Sequence, residues 1–222
     1  MRGKVKQTRP SKPRRRRPYD STRRRAQAAE TRQQILSAAR ALFTVRGYAG
    51  ATMQAIAGEA GVSVETVYAG FGTKRDLLRG LLLSVLLGDP PVAFLDRPEI
   101  PAVIQERDQR RQIALFVRTF TPVHERAGDV WAVIRAAEKS EPTIAALVRD
   151  MMRGRLAGMS QFVTALVSNG PLRAGVTPSA ATEIVWTLTS PEVHRLLRVD
   201  RGWSAERYEQ WLIDSLERLL VD

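Results

Sequence analysis

From residue 31 onward, apolar side chains recur every three or four positions, the spacing that lines one face of an α-helix. Ile35, Ala39, Leu42 and Phe43 form such a stripe within Thr31 to Arg46, and Gly47 supplies a left-handed cap behind it. Thr52 opens a short pattern with Ile56 and Ala57 inward, which Gly61 breaks. Ser63, a good N-cap, opens a second with Val67 and Phe71. Thr73 and Asp76 make the capping pair of a longer helix carrying Leu77, Leu78, Leu81 and Leu82.

The stretch from Gly88 to Pro101 holds four prolines and little periodicity, so a boundary between functional regions is expected there. Beyond it, helical spacing resumes at Asp108 to Arg126, Asp129 to Lys139, Thr143 to Ser168, Ser179 to Arg198 and Ala205 to Leu220, punctuated by Pro122, Pro142, Pro178 and Pro191. Pro178 behind Thr177 and Pro191 behind Ser190 each read as an N-cap followed by proline at the first helical position. No run alternates with the period of a strand, so the expected fold is all-α. The expected organisation is a basic arm over 1–27, a three-helix domain over 28–87 and a larger helical domain over 99–222.

Charge changes the picture at one end only. The chain has a formal net charge of +12, but residues 1–25 hold 12 of its 35 basic residues and a single acid, Asp20, which leaves the rest close to neutral. An Arg- and Pro-rich segment with so few apolar residues cannot bury enough surface to offset its ordering entropy, so the arm is expected to be disordered when free. Such a block binds polyanions, nucleic acid above all, or else serves as a solubilising tail.

The absence of cysteine removes disulfides, thiolate metal sites and cysteine nucleophiles, and fits a reducing, cytoplasmic setting. The longest apolar stretch, Leu77 to Leu87, is too short to span a bilayer, so no membrane partner is expected. His124 and His194 lack metal-ligand spacing, and no phosphate loop or nucleophile motif occurs, so the reading is not an enzyme and needs no cofactor.

The paired short patterns fit a helix-turn-helix: two helices crossing around a tight turn, with a small residue, Ala57, at their contact and Gly61 in the turn. Sealing the unit with Val62, Ile56, Val67 and Phe71 leaves Val64, Glu65, Thr66, Tyr68 and Ala69 facing outward, available to double-stranded DNA. For Tyr68 the alternative is core packing, and for Glu65 an ion pair with a nearby arginine.

With its flanks, residues 31–82 resemble the DNA-binding domain of the TetR family of regulators, through Ile35, Ala39, Phe43, Gly47, Tyr48, Thr52, Ile56, Ala57, Ala60, Gly61, Val62, Ser63, Tyr68, Phe71, Lys74 and Leu77. The resemblance implies a transcriptional regulator, a repressor released by a small-molecule effector, that binds a palindromic operator as a homodimer. It implies that Thr52 caps its helix and touches a phosphate, that Gln54 sits at the groove rim, that Val64, Glu65 and Thr66 read base edges, and that Tyr68 and Lys74 grip phosphates. Ala69 and Gly70 depart from the larger residues frequent in the family. Fewer side chains then reach DNA from the end of the recognition helix, and the arm, with Arg23, Arg24 and Arg25 at its base, is the expected source of further phosphate or minor-groove contacts. The alternative is an architectural or weakly specific DNA binder that relies on the arm.

For the second domain the resemblance implies an effector pocket and a dimer interface. Trp131, Arg135 and Glu138 share one helical face, and Phe116, Phe120, Met152, Met159 and Phe162 lie on neighbouring helices, so Phe116, Phe120, Trp131, Arg135, Met152 and Phe162 are the expected pocket lining. Plain core is the alternative. Trp186, Tyr208, Trp211, Leu212 and Leu216 are the expected dimer face, with buried protomer core as the alternative.

Overall fold

A computed structural model describes residues 21–88 and 99–222. They form ten α-helices: α1 (Ser21–Gly50), α2 (Met53–Ala60), α3 (Val64–Phe71), α4 (Lys74–Leu87), α5 (Glu99–Gln105), α6 (Gln109–Glu138), α7 (Pro142–Val167), α8 (Pro178–Leu188), α9 (Pro191–Arg195) and α10 (Ala205–Leu220). A π-helical turn over Leu196–Asp200 follows α9. There is no strand among the described residues, in keeping with the all-α expectation.

The caps are where the sequence places them. Thr52, Ser63 and Thr73 each accept a hydrogen bond from the backbone N–H three residues on, which satisfies a donor that the first helical turn leaves orphaned. Thr177 and Ser190 do the same ahead of Pro178 and Pro191. Gly47 interrupts α1 with φ 66° and ψ 175°, a backbone state that only glycine adopts without strain. Gly61 closes α2 with φ 69° and ψ 26°, its N–H shared between the carbonyls of Ala57 and Gly58.

Helix α5 (Glu99–Gln105) forms where no helix was expected, and three boundaries also differ from the expectation. Helix α1 starts at Ser21, so residues 21–27 form its first turns rather than the end of an arm. Alanine, glutamine and arginine are good helix formers, and the buried stripe that begins at Ile35 anchors the helix they extend. Residues 1–20, the rest of the expected arm, lie outside the described residues, as do residues 89–98 of the proline-rich boundary. The helices expected at Asp108–Arg126 and Asp129–Lys139 are one, α6, running through Pro122. Pro122 is on the exposed face, while Thr121 and Val123 beside it are buried. The Thr119 and Thr121 hydroxyls bond back to the Leu115 and Val117 carbonyls, and apolar contacts on both sides outweigh the lost backbone bond. The expected helix Ser179–Arg198 is instead broken at Thr189 and Ser190 into α8, α9 and the π turn.

Two cores result. One gathers Ile35, Ala39 and Phe43 of α1, Ile56 and Val67 of the short helices and Leu77, Leu78 and Leu81 of α4 together with Val130, Trp131 and Ile134 of α6 and Ile144 and Val148 of α7. The other joins Ile113, Phe116 and Val117 of α6 to Phe162, Val163 and Leu166 of α7, Val185 of α8 and Tyr208, Leu212 and Leu216 of α10. Helix α6 therefore serves both cores, and the amino-terminal helices share theirs with the larger region.

Candidate DNA-binding surface and effector cleft

Helices α2 and α3 are locked around Gly61 by fully buried Ile56 and Val67, with Ala57 small enough to allow the close crossing. That packing leaves Gln54, Glu65, Thr66, Tyr68 and Ala69 exposed on one surface. Tyr68, 52% exposed, is not core. Val64 differs from the expectation: it is half-buried and packs against the first core, because at the first position of α3 its side chain leans back over the turn. The Thr66 hydroxyl lies 3.0 Å from that of Ser63, and the Glu65 carboxyl is held below its usual range by its own backbone N–H and the Ser63 hydroxyl. Glu65 is an exposed acidic residue in the first turn of α3, where the helix N-terminus favours negative charge.

Lys74, half-buried, donates from Nζ to the Tyr48 carbonyl at 2.8 Å and lies 4.3 Å from the centre of the Tyr48 ring. It links α4 to the end of α1 beside the recognition helix. Arg23, Arg24 and Arg25 are exposed on the first turns of α1. Phe71 closes α3 from a different side: the Arg32 guanidinium sits 4.6 Å above its ring, and Gly80 of α4 lets the ring approach to where a Cβ would meet it at 3.1 Å.

In the larger region, α4, α6, α7, α9 and the π turn enclose a cleft of about 1620 Å³, larger than the roughly 300–1,000 Å³ typical of ligand pockets. Four of the expected lining residues, Phe120, Trp131, Arg135 and Met152, line it. Phe116 and Phe162 do not. They stack at 3.9 Å between ring centres inside the second core, because α6 and α7 pack face to face there. Arg135 binds Glu138 and Glu192 and lies 5.1 Å from the Trp131 ring, so the face expected from the sequence exists.

The sequence reading missed the polar side of the cleft. His124 and His194, 70 residues apart and isolated in the sequence, meet with ring centres 5.4 Å apart. Burial, then the neighbouring His194 and Arg155, pulls the His124 pKa down to about 3. Burial lowers that of His194 too, although Glu125 at 3.2 Å opposes it. Arg155 donates from Nη2 to the Trp186 carbonyl and the Thr189 hydroxyl, and burial brings its pKa down to about 10. No single-helix spacing signals these groups, since four segments supply them.

The expected dimer face needs correction. Tyr208, Leu212 and Leu216 are buried in the second core, because the apolar stripe of α10 faces its own protomer. Trp186 and Trp211 are half-buried, and Leu219 is 44% exposed. Among the described residues no group of three or more potential metal ligands occurs, and no helix is long and apolar enough to cross a membrane.

Comparison with known proteins agrees with the geometry of the amino-terminal helices. Residues 35–81 match the profile of "Bacterial regulatory proteins, tetR family". The HTH-type transcriptional regulator SrpR of Pseudomonas putida is 42% identical over 59 residues, 27% of this chain, and the match spans only 28% of SrpR. NalD of Pseudomonas aeruginosa, a secondary repressor of the MexAB-OprM multidrug efflux pump, aligns over 88% of this chain and 97% of its own with a TM-score of 0.65 and 21% identity. A transcriptional regulator from Saccharomonospora viridis, in complex with choline, aligns over 87% and 98% with a TM-score of 0.65 and 23% identity. At those identities the two structures establish the fold. Residues 35–81 thus resemble the helix-turn-helix of the TetR family, and the chain shares the overall fold of those two proteins.

Proposed function

We propose that this protein is a transcriptional regulator that binds a palindromic operator in double-stranded DNA as a homodimer, in the cytoplasm, and is a repressor released by a small-molecule effector. The observation that carries the reading is the capped α2–α3 unit, which holds Glu65, Thr66 and Tyr68 exposed on one surface while its interior is sealed. Glu65 accepts from a cytosine amino group and Thr66 bonds a base edge or phosphate, while Tyr68 donates to a phosphate oxygen. Thr52 and Gln54 flank the groove, and Lys74 adds positive charge beside it. Val64, half-buried, supplies at most its outer methyl group to a thymine. NalD, a repressor, and the S. viridis protein, which holds choline, are the precedents for repression and for a bound small molecule. The cleft supports it here by running from the leucines of α4, next to the recognition helix, to the interior of the larger region. An effector acts only through unequal affinity for the DNA-competent and incompetent states.

The test compares binding to DNA from upstream of the protein's own gene with scrambled DNA of equal length at physiological salt. A regulator prefers the former by about 10³-fold or more. Equal affinity for both supports the architectural alternative instead.

A further inference from the structure

The cleft has an uneven charge account. Its five carboxylates among the described residues are Glu125, Asp129, Glu138, Glu192 and Asp200. Each is already paired: Glu125 with Arg198 and His194, Asp129 with Arg40, Glu138 and Glu192 with Arg135, and Asp200 with Arg195. Arg155, on the same wall, has no carboxylate within ion-pair distance among the described residues. Its Nη2 is held by the Trp186 carbonyl at 2.7 Å and the Thr189 hydroxyl at 2.6 Å, which fixes the guanidinium, yet Nη1 is buried without a hydrogen-bond partner. Trp186, whose ring lies 5.3 Å from the guanidinium, leaves its own Nε1–H buried and unpaired. Arg155 and Trp186 thus present unmet donors, and the remaining buried side-chain atom without a partner among the described residues, the Tyr208 hydroxyl, can donate or accept. Leaving such groups unpaired is costly, and a charged one most of all. The remainder of the wall is largely apolar, from Leu82 and Leu86 of α4 to Met151 and Met152 of α7.

From this arrangement we propose that the effector is an amphipathic organic acid, its carboxylate bound by Arg155 and its apolar body laid against α4 and α7. The proposal rests on the reading of the cleft as an effector site and narrows the chemistry of what fills it. Cationic amphiphiles are disfavoured, since every carboxylate they would seek is already engaged and approaching Arg155 adds repulsion. A guanidinium held by two existing bonds loses little freedom when it donates to a carboxylate, so the contact is well pre-organised.

Three chain-matched probes test this on the full-length protein without DNA: dodecanoate, dodecanol and dodecyltrimethylammonium, each titrated calorimetrically below its micelle concentration. Dodecanoate is expected to bind at least about tenfold more tightly than the alcohol or the cation. Arg155→Met is expected to weaken dodecanoate about tenfold or more while leaving dodecanol unchanged, and Arg155→Lys to recover part of the loss. The comparison among probes on the unmodified protein stands even where Arg155→Met disturbs the α7–α8 contact. Tightest binding by the cation or the alcohol, no binding by any of the three, or dodecanoate binding indifferent to Arg155 overturns the proposal. Because no DNA is present, such a result leaves the regulator reading to be judged by its own operator assay.

Discussion

Glu65 and Tyr68 are exposed neighbours on α3 to which the proposed function gives different tasks, and substitution separates them. Removing an acceptor that reads one base relaxes preference at that base, so Glu65→Ala is expected to reduce discrimination at a single operator position by about 1–3 kcal/mol. On the proposed reading the Tyr68 hydroxyl meets a phosphate, so Tyr68→Phe should weaken operator and scrambled DNA alike. Binding to a panel of single-base operator variants checks both, and a uniform loss for Glu65→Ala would count against base reading. A different residue governs pH dependence. The folded protein keeps His124 neutral down to about pH 3, whereas the unfolded chain takes up a proton near the ordinary pKa of 6.5. Between those values the unfolded state binds more protons, so stability is fullest above pH 6.5 and falls on acidification, by at most about 1.4 kcal/mol per pH unit. His194 acts in the same direction. Urea unfolding followed from pH 7.5 to 4.5 should therefore show a slope that His124→Asn flattens.

Helices α1 and α6 are joined by a polar contact at the seam between the amino-terminal helices and the cleft. Arg40 of α1 donates Nε and Nη2 to the two carboxylate oxygens of Asp129, each at 2.8 Å, and Nη2 also reaches the Arg126 carbonyl. Asp129 itself lines the cleft. Both side chains are more than a third exposed or close to it, so screening limits the pair, and a double-mutant cycle with Arg40→Ala and Asp129→Ala is expected to give a coupling of about 0.5–1 kcal/mol in urea unfolding. A value indistinguishable from zero would mean that the apolar core alone joins the two helices. Neither this pair nor the length of α6 was legible in the sequence, and for one reason. Capping residues, glycine turns and the α1 to α4 stripes are local signals, and each of those helices lies close to where spacing placed it. Contacts such as Arg40 with Asp129, or His124 with His194, depend on which face of one element meets another. Periodicity identified the apolar face of α10 but did not say that Tyr208, Leu212 and Leu216 would meet the protomer's own α6 and α8 rather than a second copy. Pro122 was misleading for a related cause: a proline on the exposed face of a helix anchored in two cores costs one bond and does not end it.

For the molecule as a whole, the unresolved division of labour lies between α3 and the basic segment ahead of α1. The surface of α3 ends in Ala69 and Gly70, which offer almost no side chain to DNA, while residues 1–20 carry nine basic residues and one acid. Because Ser21 to Gln27 are helical, the informative deletion removes residues 1–20 and spares Arg23, Arg24 and Arg25 on α1. Each phosphate contact releases counterions and contributes about −0.9 to the slope of log K against log salt. If four to six of the nine cations meet phosphates, the slope should become shallower by roughly 4–5 on deletion. Affinity near 0.15 M salt should fall for operator and scrambled DNA together. The ratio between them should persist, since the proposed base reading rests with Glu65 and Thr66. Anisotropy titrations of both DNAs at several salt concentrations measure slope and ratio in one experiment. An unchanged slope would assign the arm to solubility, and a collapse of the ratio would move part of the sequence readout from the recognition helix into the arm.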